Sequence, residues 1–152
     1  DRDRAGSCAL VTPVEALQAI AARLEAEWSA TPVERVVFPG QLSDPAGADP
    51  ATPWIRVTVR ALPPRSTTHG TVGGRLIEQR SLLIAQAFYP ISVEDGSIAP
   101  LELATAFRDL FHGRSIGADP LHFETATVSY IGHDAGWTQA NVTIPFTYHE
   151  RV

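Results

Sequence analysis

The feature that most constrains the fold is an apolar residue at every second position of residues 139–148. The apolar members are Ala140, Val142, Ile144, Phe146 and Tyr148, and the residues between them are Gln139, Asn141, Thr143, Pro145 and Thr147. Side chains of a β-strand point alternately to its two faces, so this period predicts a long strand with one face in the core. Because Pro145 has no amide hydrogen, we predict that the strand lies at a sheet edge or bulges there.

Four other segments predict further strands, at residues 33–38, 54–62, 75–89 and 121–131. The second alternates cleanly and places Arg56, Thr58 and Arg60 on its polar face. The third contains a nearly continuous apolar stretch from Leu82 to Ala87, which indicates a central strand covered on both faces. The apolar phase of the fourth shifts near Thr125, where we expect a bulge, and residues 132–136 predict a turn.

Two segments predict helices. The first begins at Thr12-Pro13-Val14-Glu15, where Thr12 and Glu15 form a capping box and Pro13 suits the first helical position. Its predicted buried stripe is Val14, Leu17, Ile20, Ala21, Leu24 and Trp28. The second helix runs from about Ile98 to His112, with Gly113 as its C-terminal cap.

The element order predicts an α+β fold: a mainly antiparallel sheet of about five strands with two helices packed on one face. Residues 1–11 are predicted to form a flexible N-terminal arm, and residues 12–152 a single domain. Two long connections, 39–53 and 63–74, are rich in glycine, proline or threonine and predict loops.

Composition excludes several classes of protein. The single cysteine, Cys8, allows no intramolecular disulfide. The net charge of −5 argues against a dedicated nucleic-acid binder, since such proteins carry basic patches that neutralise phosphates. No run approaches about 18 consecutive apolar residues, so a soluble protein without membrane contact is predicted.

The sequence offers little catalytic chemistry. None of the five histidines lies three or four residues from another on a helix, and phosphate-loop, dinucleotide and serine-hydrolase motifs are missing. His133-Asp134 could form an acid–base pair, but neighbouring residues in a turn usually hydrogen-bond locally. We therefore predict no catalytic, cofactor-binding or metal-binding residues.

The candidate interaction residues fall into three groups. The 63–75 segment contributes Arg65, Thr67, Thr68, His69, Gly70 and Arg75, either as a docking arm or as a surface loop without a role. Arg56 and Arg60 either solvate one strand face or contact acidic groups of a neighbouring subunit. Trp137, at a strand start, is either a half-buried ring or an interface anchor.

Taken together over residues 12–150, the pattern resembles the phage tail terminator (tail completion) proteins. The features that carry the resemblance are the first helix, Pro53-Trp54-Ile55-Arg56-Val57, Leu83-Ile84-Ala85-Gln86-Ala87-Phe88-Tyr89-Pro90, the second helix and, above all, the ending from Gly136-Trp137-Thr138 to Phe146-Thr147-Tyr148. The family includes the terminators of phage-like gene transfer agents.

The resemblance implies a non-enzymatic virion protein that forms a hexameric ring on the tail tube. Such a ring stops tube growth, joins the tail to a head-side neck protein, and lets DNA pass through its channel without specific binding. It implies assembly in the host cytoplasm and a final place at the tail–neck junction, and it brings no catalytic residue or cofactor. A head–tail adaptor ring is one alternative, and a small α+β enzyme with a pocket under the 63–74 loop is another.

Overall fold

The computed structural model describes residues 11–31, 35–41, 51–66, 76–91, 96–116 and 120–151. Within them lie two helices and eight strands. The helices are α1 (Pro13–Glu27) and α2 (Ile98–Phe111). The strands are β1 (Val36–Val37), β2 (Trp54–Ala61), β3 (Arg65–Ser66), β4 (Leu76–Pro90), β5 (Ser115–Ile116), β6 (Leu121–Phe123), β7 (Thr127–Asp134) and β8 (Trp137–Arg151).

The centre of the sheet is a ribbon of two long antiparallel strands, β4 and β8, each of 15 residues. They pair from Leu76 opposite Arg151 to Pro90 opposite Trp137. Strands β2 and β3 pair with the other edge of β4, and β6 and β7 pair with the other edge of β8. Strand β5 lies beside β6, and β1 lies beside β2 in parallel.

The α+β class is confirmed, but the expected sheet of about five antiparallel strands is wrong. The sheet is larger, and it is mixed because β1 runs parallel to β2. The additional strands β3 and β5 have only two residues each, too few to show an alternating pattern. Arg65 and Ser66 therefore belong to the sheet and not to the predicted 63–74 loop.

Pro145 is accommodated without an edge or a bulge, contrary to the prediction. Strand β8 is central, and Pro145 lies opposite Leu82 of β4. On its other side Pro145 accepts a hydrogen bond from the Glu124 amide at 2.9 Å, in the short break between β6 and β7. In a strand the amide and carbonyl of one residue point the same way, so the missing amide faces this break and no ladder bond is lost.

The same break corrects the predicted strand at 121–131. The chain leaves the sheet at residues 124–126, and the pairing with β8 shifts by one residue across this break, from Phe123 opposite Phe146 to Thr127 opposite Thr143. The irregularity expected near Thr125 is therefore present, and a second one lies between Tyr130 and Gly132. The predicted turn at 132–136 is also shorter, because β7 continues to Asp134. Ala135 and Gly136 make the turn, with φ of 50° and 89°, as the two-residue hairpins that match sheet twist require.

Helix α1 begins as predicted. The Thr12 Oγ1 accepts a hydrogen bond from the Glu15 amide at 3.2 Å, and the Thr12 amide donates to the Glu15 carboxylate at 3.3 Å. Its buried positions are Ala16, Ile20 and Leu24, with Trp28 at its C-terminal end. Two members of the predicted stripe are instead exposed, Val14 by 63% and Leu17 by 38%. The apolar pattern of α1 is thus wider than the face that the domain buries.

Helix α2 packs on β4 and β8 and forms the centre of the core. Phe107 and Phe111 are fully buried, and the rings of Phe107 and Trp28, the C-cap of α1, meet edge to face with their centroids 6.1 Å apart. Gly113 follows the helix with φ of 68°, consistent with the predicted cap. Val11, the last residue of the predicted arm, is buried and its amide donates to the His149 carbonyl at 2.8 Å. Residues 1–10 lie outside the described part of the chain.

Tyr148 gives the core a measurable pH dependence. It lies on the core face of β8, and burial, with the nearby charge of Glu150, raises the pKa of its phenol above 10.0. Ionisation is easier in the unfolded chain, so this stability is present below pH 10 and lost as pH rises through the higher folded pKa. We expect urea unfolding between about pH 8 and pH 11 to show that loss, and Tyr148→Phe to reduce it. An unchanged pH dependence in that variant would contradict the assignment.

Candidate interaction surface

Both helices pack on one face of the sheet, and neither of them covers the other face. On β4 the odd residues from Ser81 to Ala87 are buried in the core, and the even residues point the other way. Residues directly opposite each other on neighbouring strands point to the same face of the sheet. The strand pairing therefore identifies the residues of β2, β3 and β8 that share a face with the even residues of β4, and we call this surface the open face. Its described side chains include Arg56, Thr58, Arg60, Arg65, Glu78, Arg80, Leu82, Ile84, Gln86, Phe88, Gln139, Asn141, Thr143 and Thr147.

The open face is basic, although the chain as a whole has a net charge of −5. Its described side chains include four arginines, Arg56, Arg60, Arg65 and Arg80, and one carboxylate, Glu78. The salt bridges found within the described residues all lie on the helices, so none engages these arginines. Among the described residues, four arginines against one carboxylate therefore make this face positive, in a chain that is acidic as a whole.

The centre of the open face is apolar. Leu82 and Ile84 are partly exposed, lying opposite Arg60 and Thr58 of β2. Neither residue belongs to the buried core or to the partly buried residues packed on it. The prediction that this strand is covered on both faces is thus wrong for the isolated domain, because both helices pack on the same side.

One end of the open face carries an aromatic cluster. Trp54 is 6% exposed and stacks on Phe88 with ring centroids 4.3 Å apart. Trp137 meets Trp54 edge to face at 6.4 Å, and the guanidinium of Arg56 lies 5.2 Å from the Trp54 ring centroid. Such contacts fix the rings and hold the Arg56 side chain over the indole.

A shallow cavity of about 290 Å³ adjoins this cluster. Besides the three aromatic residues, its described lining comprises Ile131, Gly132, His133, Ala135 and Gln139. Ile131 is 54% exposed beside the irregularity of β7. The Asp134 side chain lies outside the described part of the chain, so the possible His133-Asp134 pair stays a prediction.

The other histidines within the described residues take local hydrogen bonds or lie on the sheet. The His122 Nδ1 lies 2.9 Å from the Ser115 hydroxyl, and the Ala126 amide donates to His112 Nδ1 at 3.4 Å. Among the residues that the structure describes, no group of three His, Cys, Asp or Glu side chains could hold a metal ion.

The predicted interaction residues divide into three sets. Arg56, Arg60 and Arg65 all lie exposed on the open face. Trp137 lies in the aromatic cluster, where it and Arg56 contact the same Trp54 ring. Thr67, Thr68, His69, Gly70 and Arg75 lie outside the described residues.

Sequence reasoning missed Leu82 and Ile84 as surface residues, and it missed Val14 and Leu17. The signal was present in both cases, because each element carries more apolar positions than one packed face needs. It was assigned to the core of this domain, since a single sequence does not distinguish burial within a chain from burial between chains.

Comparisons with known proteins find a structure with a similar fold but no matching family. No protein-family model matches the chain, and no curated protein matches it. Among solved structures, one chain known only by a sequence identifier superposes with a TM-score of 0.59 at 13% identity, covering 86% of this chain and 88% of that one. At this identity the likeness shows a shared fold alone. Neither described helix is long and apolar enough to cross a membrane.

Proposed function

We propose that this chain is a structural subunit of a phage-type tail, a tail terminator that forms a ring on the end of the tail tube. The ring ends tube growth and joins the tail to the head-side neck, in a phage or in a phage-like gene transfer agent. It acts at the tail–neck junction of the virion after assembly in the host cytoplasm, and DNA passes through it without specific binding.

The observation that carries this proposal is the sheet face that neither described helix covers. A central strand with the apolar stretch of β4 is typical of sheets covered on both sides, yet the helices pack only on one. Partly exposed Leu82 and Ile84, with Arg60 opposite Leu82 and Arg56 further along β2, suit a contact with another protein. The sequence resemblance to tail terminators supplies the kind of assembly.

The test is the morphology of particles produced without this chain. We expect electron micrographs to show tails of uncontrolled length that fail to join filled heads, and wild-type chain supplied in trans to restore joined particles. Normal tail length and normal joining in its absence would overturn the proposal. Tails of normal length that remain detached would favour the alternative, a head–tail adaptor.

The connection between β3 and β4 gives a separate prediction. Ser66 and Ile77 are cross-strand partners, so the chain between them spans a gap that a two- to five-residue turn closes. Replacing residues 67–74 with a short Gly-Ser turn should change the free energy of unfolding by no more than about 1 kcal/mol. If the segment is a docking arm, the same variant should block head–tail joining.

Infectious or DNA-transferring titre and urea unfolding, measured side by side, check this prediction. Normal titre would show that the segment is dispensable. A large loss of stability would show that the segment packs within its own subunit. A matched control replaces the same residues with a Gly-Ser segment of the original length, which separates loss of side chains from loss of length.

A further inference from the structure

We propose that helix α1 of one copy of this chain docks on the open face of a second copy. This contact between copies deepens the proposed function. The further step, that such contacts close into a ring, rests on the proposed function. It joins two surfaces of this chain that each carry apolar side chains beyond those that the domain buries.

The first surface is one side of α1. Val14, Leu17 and Ala21 follow at intervals of three and four residues, so they form a stripe along the helix. Val14 and Leu17 are exposed, and Ala21 is partly exposed. Glu25 continues the stripe one turn further, is exposed, and has no cationic partner among the described residues. The stripe is thus apolar for two turns and ends in a carboxylate.

The second surface is the centre of the open face. Leu82 and Ile84 lie in adjacent open-face positions of β4, and Arg60 lies directly opposite Leu82 on β2. Arg56 is two positions further along the same strand face. An apolar strip bordered by guanidinium groups is complementary, in both polarity and charge, to a stripe of Val14, Leu17 and Ala21 that ends in Glu25.

Charge on the whole helix layer favours the same partner. The described helices carry Glu15, Glu25, Glu27, Glu102 and Asp109 against Arg23 and Arg108. Both helical arginines are engaged locally, with Glu27 at 3.8 Å and Asp109 at 3.0 Å. Among the described residues the helix side is therefore acidic and the open face basic, so these two surfaces of two copies attract each other.

The contact is heterologous, since α1 and the open face lie on opposite sides of one domain. A copy that uses its α1 keeps its own open face available for the next copy. Contacts of this kind propagate from subunit to subunit and either close into a ring or extend as a filament, whereas a two-fold contact stops at a dimer.

Disulfide trapping between two full-length variants, with oxidised glutathione as the oxidant, tests the contact in a Cys8→Ser background that removes the native thiol. One chain carries Leu17→Cys and the other Ile84→Cys. We expect the mixture to form a mixed disulfide at least about tenfold faster than either variant alone, since a docked pair of thiols has an effective concentration on the order of millimolar. Glu124→Cys, at an exposed position off both surfaces, replaces Leu17→Cys in the control mixture.

A charge swap provides the second readout. Arg60→Glu in the Ile84→Cys chain should slow trapping about tenfold, and Glu25→Arg in the Leu17→Cys chain should restore it. A rate no faster than that of the control mixture overturns the proposal. Equally fast trapping of Leu17→Cys with itself also overturns it, because that result requires a two-fold contact between helices.

The same variants separate this contact from the proposed function. If Leu17→Cys is trapped with Ile84→Cys but particles made without this chain have normal tails, the contact is established and the terminator is rejected. The opposite result is a six-membered ring in particles whose chains carry both Leu17→Cys and Ile84→Cys, with no disulfide between positions 17 and 84. That result would support the terminator and reject the contact.

Discussion

Ile84→Glu is expected to leave the domain folded while lowering the titre of joined particles by about 100-fold or more. Ile84 is partly exposed, so the loss of unfolding free energy should stay near 1 kcal/mol. In the ring that we propose, the new carboxylate would be buried against an apolar, acid-ended helix, and an unpaired buried charge costs about 3–5 kcal/mol. Titre, measured beside urea unfolding of the purified variant, checks both parts.

Ile91→Glu is the matched control, because it makes the same change at a 49% exposed isoleucine just beyond β4. We expect particles with Ile91→Glu to have a titre within a few-fold of wild type. Full titre from Ile84→Glu would show that the open face is not used in assembly. A cooperative loss of structure in that variant would show that Ile84 is already covered within its own chain.

Phe107→Ala should produce the largest loss of stability, about 3–5 kcal/mol, because it opens a cavity where both helices meet the sheet. Phe107 is fully buried, contacts Trp28 of α1 and lies 5.2 Å from Phe111, measured between ring centroids. Such a loss is a large part of the roughly 5–15 kcal/mol typical of a domain, so much of the variant should be recovered unfolded or aggregated.

Urea unfolding measures this effect, with Ile98→Ala as the control. Ile98 begins the same helix but is 61% exposed, and its truncation should change stability by about 0.5 kcal/mol or less. Equal effects of the two substitutions would contradict the assignment of Phe107 to the core. A stability loss near 1 kcal/mol for Phe107→Ala would mean that the cavity collapses on truncation.

The longest elements were predictable because each repeats a local pattern many times. The alternation at 139–148 correctly assigned the inward residues of β8, and the capping box at Thr12 placed the start of α1. The short strands β1, β3 and β5 have two residues each, and their pairing depends on chain segments far away in sequence. The parallel pairing of β1 with β2 therefore could not be derived from periodicity.

The candidate surface was only partly predictable, for a different physical reason. Arg56 and Arg60 follow from the polar phase of β2, and their exposure agrees with it. The sequence assigned four of its residues to the core: Leu82, Ile84, Val14 and Leu17. Apolar periodicity indicates that one face of an element is buried, but it does not indicate whether the same chain or another chain covers that face. Their exposure depends on where the helices pack, which is a property of the whole fold.

The number and position of copies in the particle test the central claim most directly. Cryo-electron microscopy of the tail–neck junction, with this chain identified by an added tag, measures both at once. The account predicts six copies in one closed ring at the head-proximal end of the tail tube. A different subunit number, a two-fold dimer, or a location away from the end of the tube would contradict it.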